Sequence, residues 1–356
     1  MNNYLDIIDN YKFPSNFVPK NHEKYYRRSH LVRASGTGIY GSKYTVKLQK
    51  RINNIKKIDV KISITTNITP TSSPNISCFF CKNIDLKQKP NISLANLQSS
   101  YLLSRKNEDL GSQTAGFKTG SQTLQYDGTA LGTSSWFFIN LPLSISEVET
   151  LPLKQLNDIY VDFYINDSAS SMGLPAGVEI TSVKIEALVD YFEYKNEPVR
   201  SVFNGYNCFY EKKETISLVD GDITVYKTGL TFKSPVYNIA VLCLKENSTI
   251  VQADVLYMKI TCENETVKEM YKVIDFYYNQ DLQGYTSNGQ YKAWLSDEKS
   301  RLNLNGLFPP GSNAVYELEV HIKSSSSGTN NFNVNIMYEY PYEYDIKDNQ
   351  IYLNRA

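Results

Sequence analysis

The chain has little of what chemistry usually needs. Only five of its 356 residues are cysteine. Cys78-Phe-Phe-Cys81 is a C-x-x-C with no second pair, and Cys208, Cys243 and Cys262 are scattered. That excludes a disulfide framework and a four-thiolate zinc site, and leaves the cysteines as small buried hydrophobes. Three histidines are present. His22 and His30 fall in an irregular basic segment, His321 on the polar face of a strand. No G-x-S-x-G elbow and no H-E-x-x-H pair accompany them, so neither a serine hydrolase nor a zinc protease is indicated. No apolar run approaches the ~20 residues that span a bilayer as a helix. The start, Met1-Asn-Asn-Tyr-Leu-Asp6, lacks a basic-then-apolar leader, which predicts synthesis in the cytosol or export by a route without such a leader. Charge of one sign is also missing: 37 Lys and Arg face 37 Asp and Glu. A whole-chain basic field for nucleic acid is thereby excluded.

One apparent cofactor motif fails on its context. Gly36-Thr-Gly-Ile-Tyr-Gly41 matches G-x-G-x-x-G, which cradles a pyrophosphate only between a buried strand and a helix. Here Tyr26-Arg-Arg-Ser-His-Leu-Val-Arg33 precedes it and an alternating strand follows. A turn into that strand is expected, and no cofactor and no metal.

What the chain does have is tyrosine, 28 residues of it, and period-two alternation. Tyr44, Val46 and Leu48 alternate with polar residues, as does Ile58-Asp-Val-Lys-Ile-Ser-Ile64. Each pattern buries one face of a strand and wets the other. Ser135–Leu141 reads as a buried strand. Leu94, Leu97 and Tyr101 permit a short helix after Ser93, and Ser146 with Glu149 forms a possible capping box. Asp220-Gly221 between Ile216–Val219 and Asp222–Val225 reads as a type I′ hairpin, and Asn288-Gly289 as a second hairpin. Val267, Met270, Tyr271, Ile274 and Tyr278 share a helical face, predicting a helix over Glu265–Tyr278. Lys106–Thr133 and Ser168–Gly177 read as loops.

The end of the chain repeats its middle. Ile159–Ile165 alternates; a Gly- and Ser-rich gap follows, then a strand at Val183–Tyr191 and an acidic-aromatic tail, Asp190–Tyr194. Tyr316–Ile322 alternates in the same way, followed by Ser324–Asn331, a strand at Phe332–Tyr340 and the tail Glu339–Tyr344. Strand, gap, strand and tail, twice over, predict tandem β-domains. Each half is too long for a bare immunoglobulin sandwich of roughly 100 residues, and an eight-stranded jelly roll with generous loops suits it better. The expected division is an irregular basic arm over 1–40, a first domain over 41–196, a linker over 197–204, a second domain over 205–346 and a tail over 347–356.

Charge is uneven within the chain. Carboxylates gather at Glu186, Asp190, Glu193 and Glu197, and at Glu339, Glu343, Asp345 and Asp348. They read as solvated strand faces or as a paired acid site of the glycosidase type. The first 60 residues are rich in Lys and Arg. Within them Lys24, Arg27, Arg28 and Arg33 point either toward phosphate, in nucleic acid or an anionic membrane, or to a tail balanced by the acidic strand ends.

Two jelly-roll-sized domains, a basic arm and no catalytic signature resemble the double jelly-roll major capsid proteins of icosahedral viruses of the adenovirus-hexon lineage, many with an internal membrane. The resemblance is one of organisation and covers residues 40–346. It implies an all-β chain of two tandem eight-stranded jelly rolls. It also implies homotrimers whose six jelly rolls form a pseudo-hexagonal tile beside neighbouring capsomers and other capsid proteins, with a terminal arm toward an internal membrane or the genome. Such a protein is made in the host cytoplasm, resides in the virion and is not an enzyme. The resemblance carries no functional residue across. Deleting residues 1–35 is then expected to leave folded protein that assembles poorly. Other classes remain open: a carbohydrate- or receptor-binding β-protein such as a phage spike or adhesin, a β-sandwich glycoside hydrolase, and a minor or vertex capsid protein.

Overall fold

The computed structural model describes residues 25–70, 75–89, 92–104, 125–126, 133–141, 150–194, 202–231, 236, 238–249, 251–262, 265–271, 290–294, 316–324 and 326–355. Among these residues, ten strands form the first half: β1 (Tyr25–Arg33), β2 (Ser35–Gly36), β3 (Lys43–Leu48), β4 (Ile55–Thr66), β5 (Cys81–Gln88), β6 (Ile92–Gln98), β7 (Gln125–Tyr126), β8 (Ser134–Asn140), β9 (Ile159–Ile165) and β10 (Ile180–Tyr194). They make two sheets, β1-β10-β4-β8-β7 and β2-β3-β9-β5-β6. Nine more form the second half: β11 (Val202–Val219), β12 (Ile223–Leu230), β13 (Asn238–Lys245), β14 (Gln252–Cys262), β15 (Glu265–Tyr271), β16 (Gln290–Trp294), β17 (Tyr316–Lys323), β18 (Thr329–Lys347) and β19 (Gln350–Arg355). Here the ladders are β11-β18-β13-β16 and β12-β17-β14-β15, with β19 added to β18. They join where β13 turns into β14, at Cys243–Ala253 and Leu244–Gln252.

The halves match strand for strand. Replacing β1, β3, β4, β5, β6, β8, β9 and β10 by β11 to β18, in order, converts β1-β10-β4-β8 into β11-β18-β13-β16. The same replacement converts β3-β9-β5-β6 into β12-β17-β14-β15. Each half is thus built on an eight-stranded antiparallel jelly roll of two four-stranded sheets, with β2 and β7 added in the first and β19 in the second, and the fold is two of them in tandem. The repeated segments take the same place: β9 lies between β3 and β5, β17 between β12 and β14.

Alternation builds the cores. Ile58, Val60, Ile62, Phe137, Val161 and Phe163 are shut away in the first half, and Leu318, Val320, Ile322, Val334 and Ile336 in the second. Each such side chain contributes about 1.5–3 kcal/mol by leaving water.

Five expectations need correction. Residues 25–33, placed in the irregular arm, form β1, paired with β10 from Tyr25–Tyr194 to Arg33–Glu186. The linker gives way to β11 from Val202, and the tail supplies β19. The helix over Glu265–Tyr278 is overturned at its start, because residues 265–271 are strand β15 on β14. Thr266 and Val267 are β-branched, and the open edge of β14 decides between two patterns that the spacing leaves balanced. Asp220-Gly221 is not a type I′ hairpin. Only Gly221 has a positive φ (79°), and its arms enter different ladders, β11 on β18 and β12 on β17.

Other expectations fare differently. The strand at Ile92–Gln98 takes up Leu94 and Leu97, and residues 99–104 are helical beyond it. The loop Ser168–Gly177 holds a 3-10 turn, Ser170–Met172, packed down by Ala169, Met172 and Leu174. The capping box at Ser146, the Asn288-Gly289 turn and most of Lys106–Thr133 lie outside the described residues.

Candidate functional site

The glycine motif is a structural turn. Gly36 belongs to β2, where a Cβ would strike the Tyr44 ring and the Lys43 carbonyl. Gly41 donates its N–H to the Asn166 carbonyl (3.1 Å), and the chain then enters β3, with no helix N-terminus to hold a phosphate. Cys78 and Cys81 are both buried, and burial pushes the Cys81 thiol up. Among the described residues, no three His, Cys, Asp or Glu side chains gather as metal ligands.

The basic run and the first acidic run turn out to be two sides of one ladder. Antiparallel pairing of β1 with β10 sets Arg27 against Asp190 (2.6 Å), Arg28 against Glu193, and Arg33 against Glu186 (3.4 Å). Ser29 adds a hydrogen bond to Asp190 (2.5 Å), and Lys184 a second cation to Glu186 (2.8 Å). Lys24 and Glu197 lie outside the described residues. Lys184 and the nearby Arg33 hold the Glu186 carboxyl below its usual range. Burial alone would raise Asp190, but hydrogen bonds from Ser29 and Arg27 outweigh it and hold that group low as well. A glycosidase acid needs the opposite, a carboxyl kept protonated near neutral pH.

A second polar centre is duplicated with the fold. Asp162, in the middle of β9, is buried on the outer face of its sheet beneath lysines. Its carboxylate pairs with Lys43 (2.8 Å) and Lys87 and accepts from Thr45 Oγ1 (2.6 Å). Tyr160 and Tyr164 flank it, with Lys47, Lys89 and Lys43 over their rings at 5.1–5.7 Å. At the corresponding position of β17 stands Glu319, paired with Lys227 (2.7 Å) and His321 (2.8 Å). The repeat thus extends to a carboxylate at the centre of the seventh strand of each jelly roll.

Burial raises Asp162, and the hydrogen bonds from Lys43, Lys87 and Thr45 more than offset it, so the group is held low. A depressed carboxyl stabilises the fold above its unfolded value of ~3.9, and that stability is lost as pH falls through the lower folded value. Asp162→Ala should cost about 1–3 kcal/mol at neutral pH, discounted because the lysines are part-exposed. The deficit should shrink between about pH 5 and pH 2. Urea midpoints across that range check it; a constant difference would show that packing, not charge, is lost.

The halves meet through buried polar clamps. Gln88 ends β5 with its side chain fully enclosed. Its Nε2 donates to the Asn349 carbonyl (2.7 Å), and its Oε1 accepts from the Ile351 N–H (2.8 Å). The Asn157 N–H also reaches the Asn349 carbonyl (2.7 Å). The clamped turn joins β18 to β19, with φ of 52° at Asp348 and 61° at Asn349, the type I′ form. Elsewhere Asn75 donates to the Thr249 carbonyl, and a Cβ at Gly173 would collide with the Thr249 side chain. No motif announces these residues; Gln88 looks like any polar strand end.

No family model and no curated protein matches the sequence. Solved structures do match. PBCV-1 VP54, as fitted into a reconstruction of the virophage Sputnik, aligns with a TM-score of 0.70 over 95% of this chain and 98% of that one, at 12% identity. The mavirus major capsid protein gives 0.61 over 92% and 90%, at 10% identity. The Faustovirus major capsid protein gives 0.59 over 96% and 94%, at 7% identity. The architecture is therefore the double jelly roll that these chains share. The likeness is one of fold and spans nearly the full length of each partner.

Proposed function

We propose that this chain is a structural virion protein, the major capsid protein of an icosahedral virus. It assembles as homotrimeric capsomers beside other capsid components and performs no catalysis. One observation carries the reading: a single jelly-roll topology is built twice in one chain that matches three capsid structures nearly end to end. The near-complete coverage of chains described as major capsid proteins favours that role over a minor or vertex protein. The two jelly rolls are read as domains, the first reaching back to β1 and the second from β11 to β19. Arg27, Arg28 and Arg33 already face carboxylates. The phosphate-facing role therefore passes to the basic residues ahead of them, Lys24 among these, on the inner side of the shell near a membrane or genome. Synthesis in the host cytoplasm and delivery to the virion follow from the same reading.

Light scattering of the purified chain should give three times the 40.6 kDa protomer mass. Electron microscopy should show pseudo-hexagonal particles that pack into sheets or shells. A monomer at high concentration and shell-like ionic strength would count decisively against it.

A further inference from the structure

The strand pair that closes each jelly roll is charged in one half and neutral in the other. In the first half β1 lies on β10, and in the second β11 lies on β18. On the face of β1 and β10 turned away from the core, Asp190 accepts from Arg27 (2.6 Å) and Ser29 (2.5 Å), and Glu186 pairs with Arg33 (3.4 Å). Arg28 with Glu193 adds a third tie at the exposed end. The same face of β11 and β18 carries hydroxyls and amides instead. Thr215 Oγ1 donates to Asn333 Oδ1 (2.9 Å), and Ser217 Oγ to Asn331 Oδ1 (2.8 Å). Little else holds β1: among its described side chains only Val32 is buried.

We propose that this asymmetry is an acid-ordered opening device: as pH falls, the first jelly roll unfastens along β1 and β10 while the second stays closed. Asp190 and Glu186 are both held below the ordinary carboxylate range. Their stabilisation is therefore full above the unfolded values, ~3.9 and ~4.3, and is lost as pH falls through the lower folded ones. Protonation leaves the facing cations behind. Around Asp190 these are Arg27 and, from β4, Lys57, which also pairs with Asp59 (2.7 Å). Around Glu186 they are Arg33, Lys184 and, from β4, Lys61. Without the two anions these like charges repel one another. Asp162 loses its lysine pairs over the same range, again in the first half.

The second half has acid-sensitive pairs, but among the described residues none fastens β11 to β18. Glu214 pairs with Lys212 on its own strand (2.8 Å) and accepts from Tyr226 of β12 (2.6 Å). Glu319 pairs with Lys227 and His321 within the other sheet, and Asp345 with Lys347 on its own strand (3.3 Å). Exposure weakens two of these further. The Glu214 and Glu319 side chains are 40% and 22% exposed, against 11% and 10% for Asp190 and Glu186.

The two tryptophans divide between the halves, Trp136 in β8 and Trp294 in β16. Trp294→Phe therefore leaves a fluorescent reporter in the first jelly roll, and Trp136→Phe one in the second. Acid titration of these full-length chains should place the opening midpoint about one pH unit higher at Trp136 than at Trp294. Exchanging the chemistry checks the cause. In the Trp294→Phe background, R27S/D190N/R33T/E186N gives the first half the neutral pairing of the second and should lower the Trp136 midpoint by roughly half a unit or more. In the Trp136→Phe background, T215R/N333D builds an ionic pair between β11 and β18 and should raise the Trp294 midpoint by about half a unit. This second exchange leaves the first half untouched and decides the matter if the fourfold variant does not fold at neutral pH. Coincident midpoints in the two reporter chains, opening at Trp294 first, or a Trp294 midpoint unmoved by T215R/N333D would overturn the proposal.

Discussion

Removing residues 1–35 should abolish the fold, whereas removing residues 1–24 should leave it standing. The longer deletion takes away β1, a nine-residue strand bonded along its whole length to β10. It uncovers the β10 edge and strips Asp190, Glu193 and Glu186 of Arg27, Arg28 and Arg33. Asp190 loses both Arg27 and Ser29, and of its ion pairs Glu186 keeps only Lys184. The combined loss is comparable with the ~5–15 kcal/mol that holds a typical domain together. Circular dichroism and the soluble fraction after expression measure the outcome. A soluble, cooperatively melting chain without residues 1–35 would show that β1 is an accessory rather than part of the first jelly roll.

Gln88→Ala should lower stability by about 2–3 kcal/mol and the melting temperature by roughly 3–8 °C. The Asn349 carbonyl keeps the Asn157 N–H, but the Ile351 N–H is left buried with no acceptor. Gln88→Glu separates charge from shape. It keeps the acceptor for Ile351 and presses a carboxylate oxygen against the Asn349 carbonyl. That carboxyl is pushed above its ordinary value, because only its protonated form donates. The defect should therefore be full at neutral pH and ease as the medium is acidified, whereas the Gln88→Ala deficit should not change with pH. Denaturation midpoints against pH distinguish the two. Equal, pH-independent losses in both variants would mean that the clamp matters only as packing.

How much could be read in advance depended on whether the signal was local. Ile58–Ile64, Ile159–Ile165 and Tyr316–Ile322 keep strict period two because one face meets a core and the other meets water, and all three are strands. The tandem halves were readable for the same reason. β1 was not. Arg27 and Arg28 are consecutive, as are Leu31 and Val32, so no alternation survives. The strand is held by carboxylates about 160 residues further along. β15 was misread because Val267, Met270, Tyr271 and Ile274 fit a helical face, while the neighbour that decides is β14. Asp220-Gly221 marked a turn correctly and its destination wrongly, since nothing in two residues says which ladder each arm will enter. The acidic cluster and the basic arm were both visible, but their mutual neutralisation appears only once β1 lies on β10. The Gln88 clamp had no sequence signal at all.

The clamp also orders events in time. Gln88 leaves the ribosome more than 250 residues before the backbone it holds. The first jelly roll can close its own sheets early, yet the partners of that glutamine are made more than 250 residues later. Until then its amide is solvated and the face beside it stays open. A nascent or prematurely terminated chain therefore exposes a junction that a chain extending through Ile351 seals. Synthesis through Ile351 is written into the geometry as a latch, and only a latched chain offers its neighbours a settled shape.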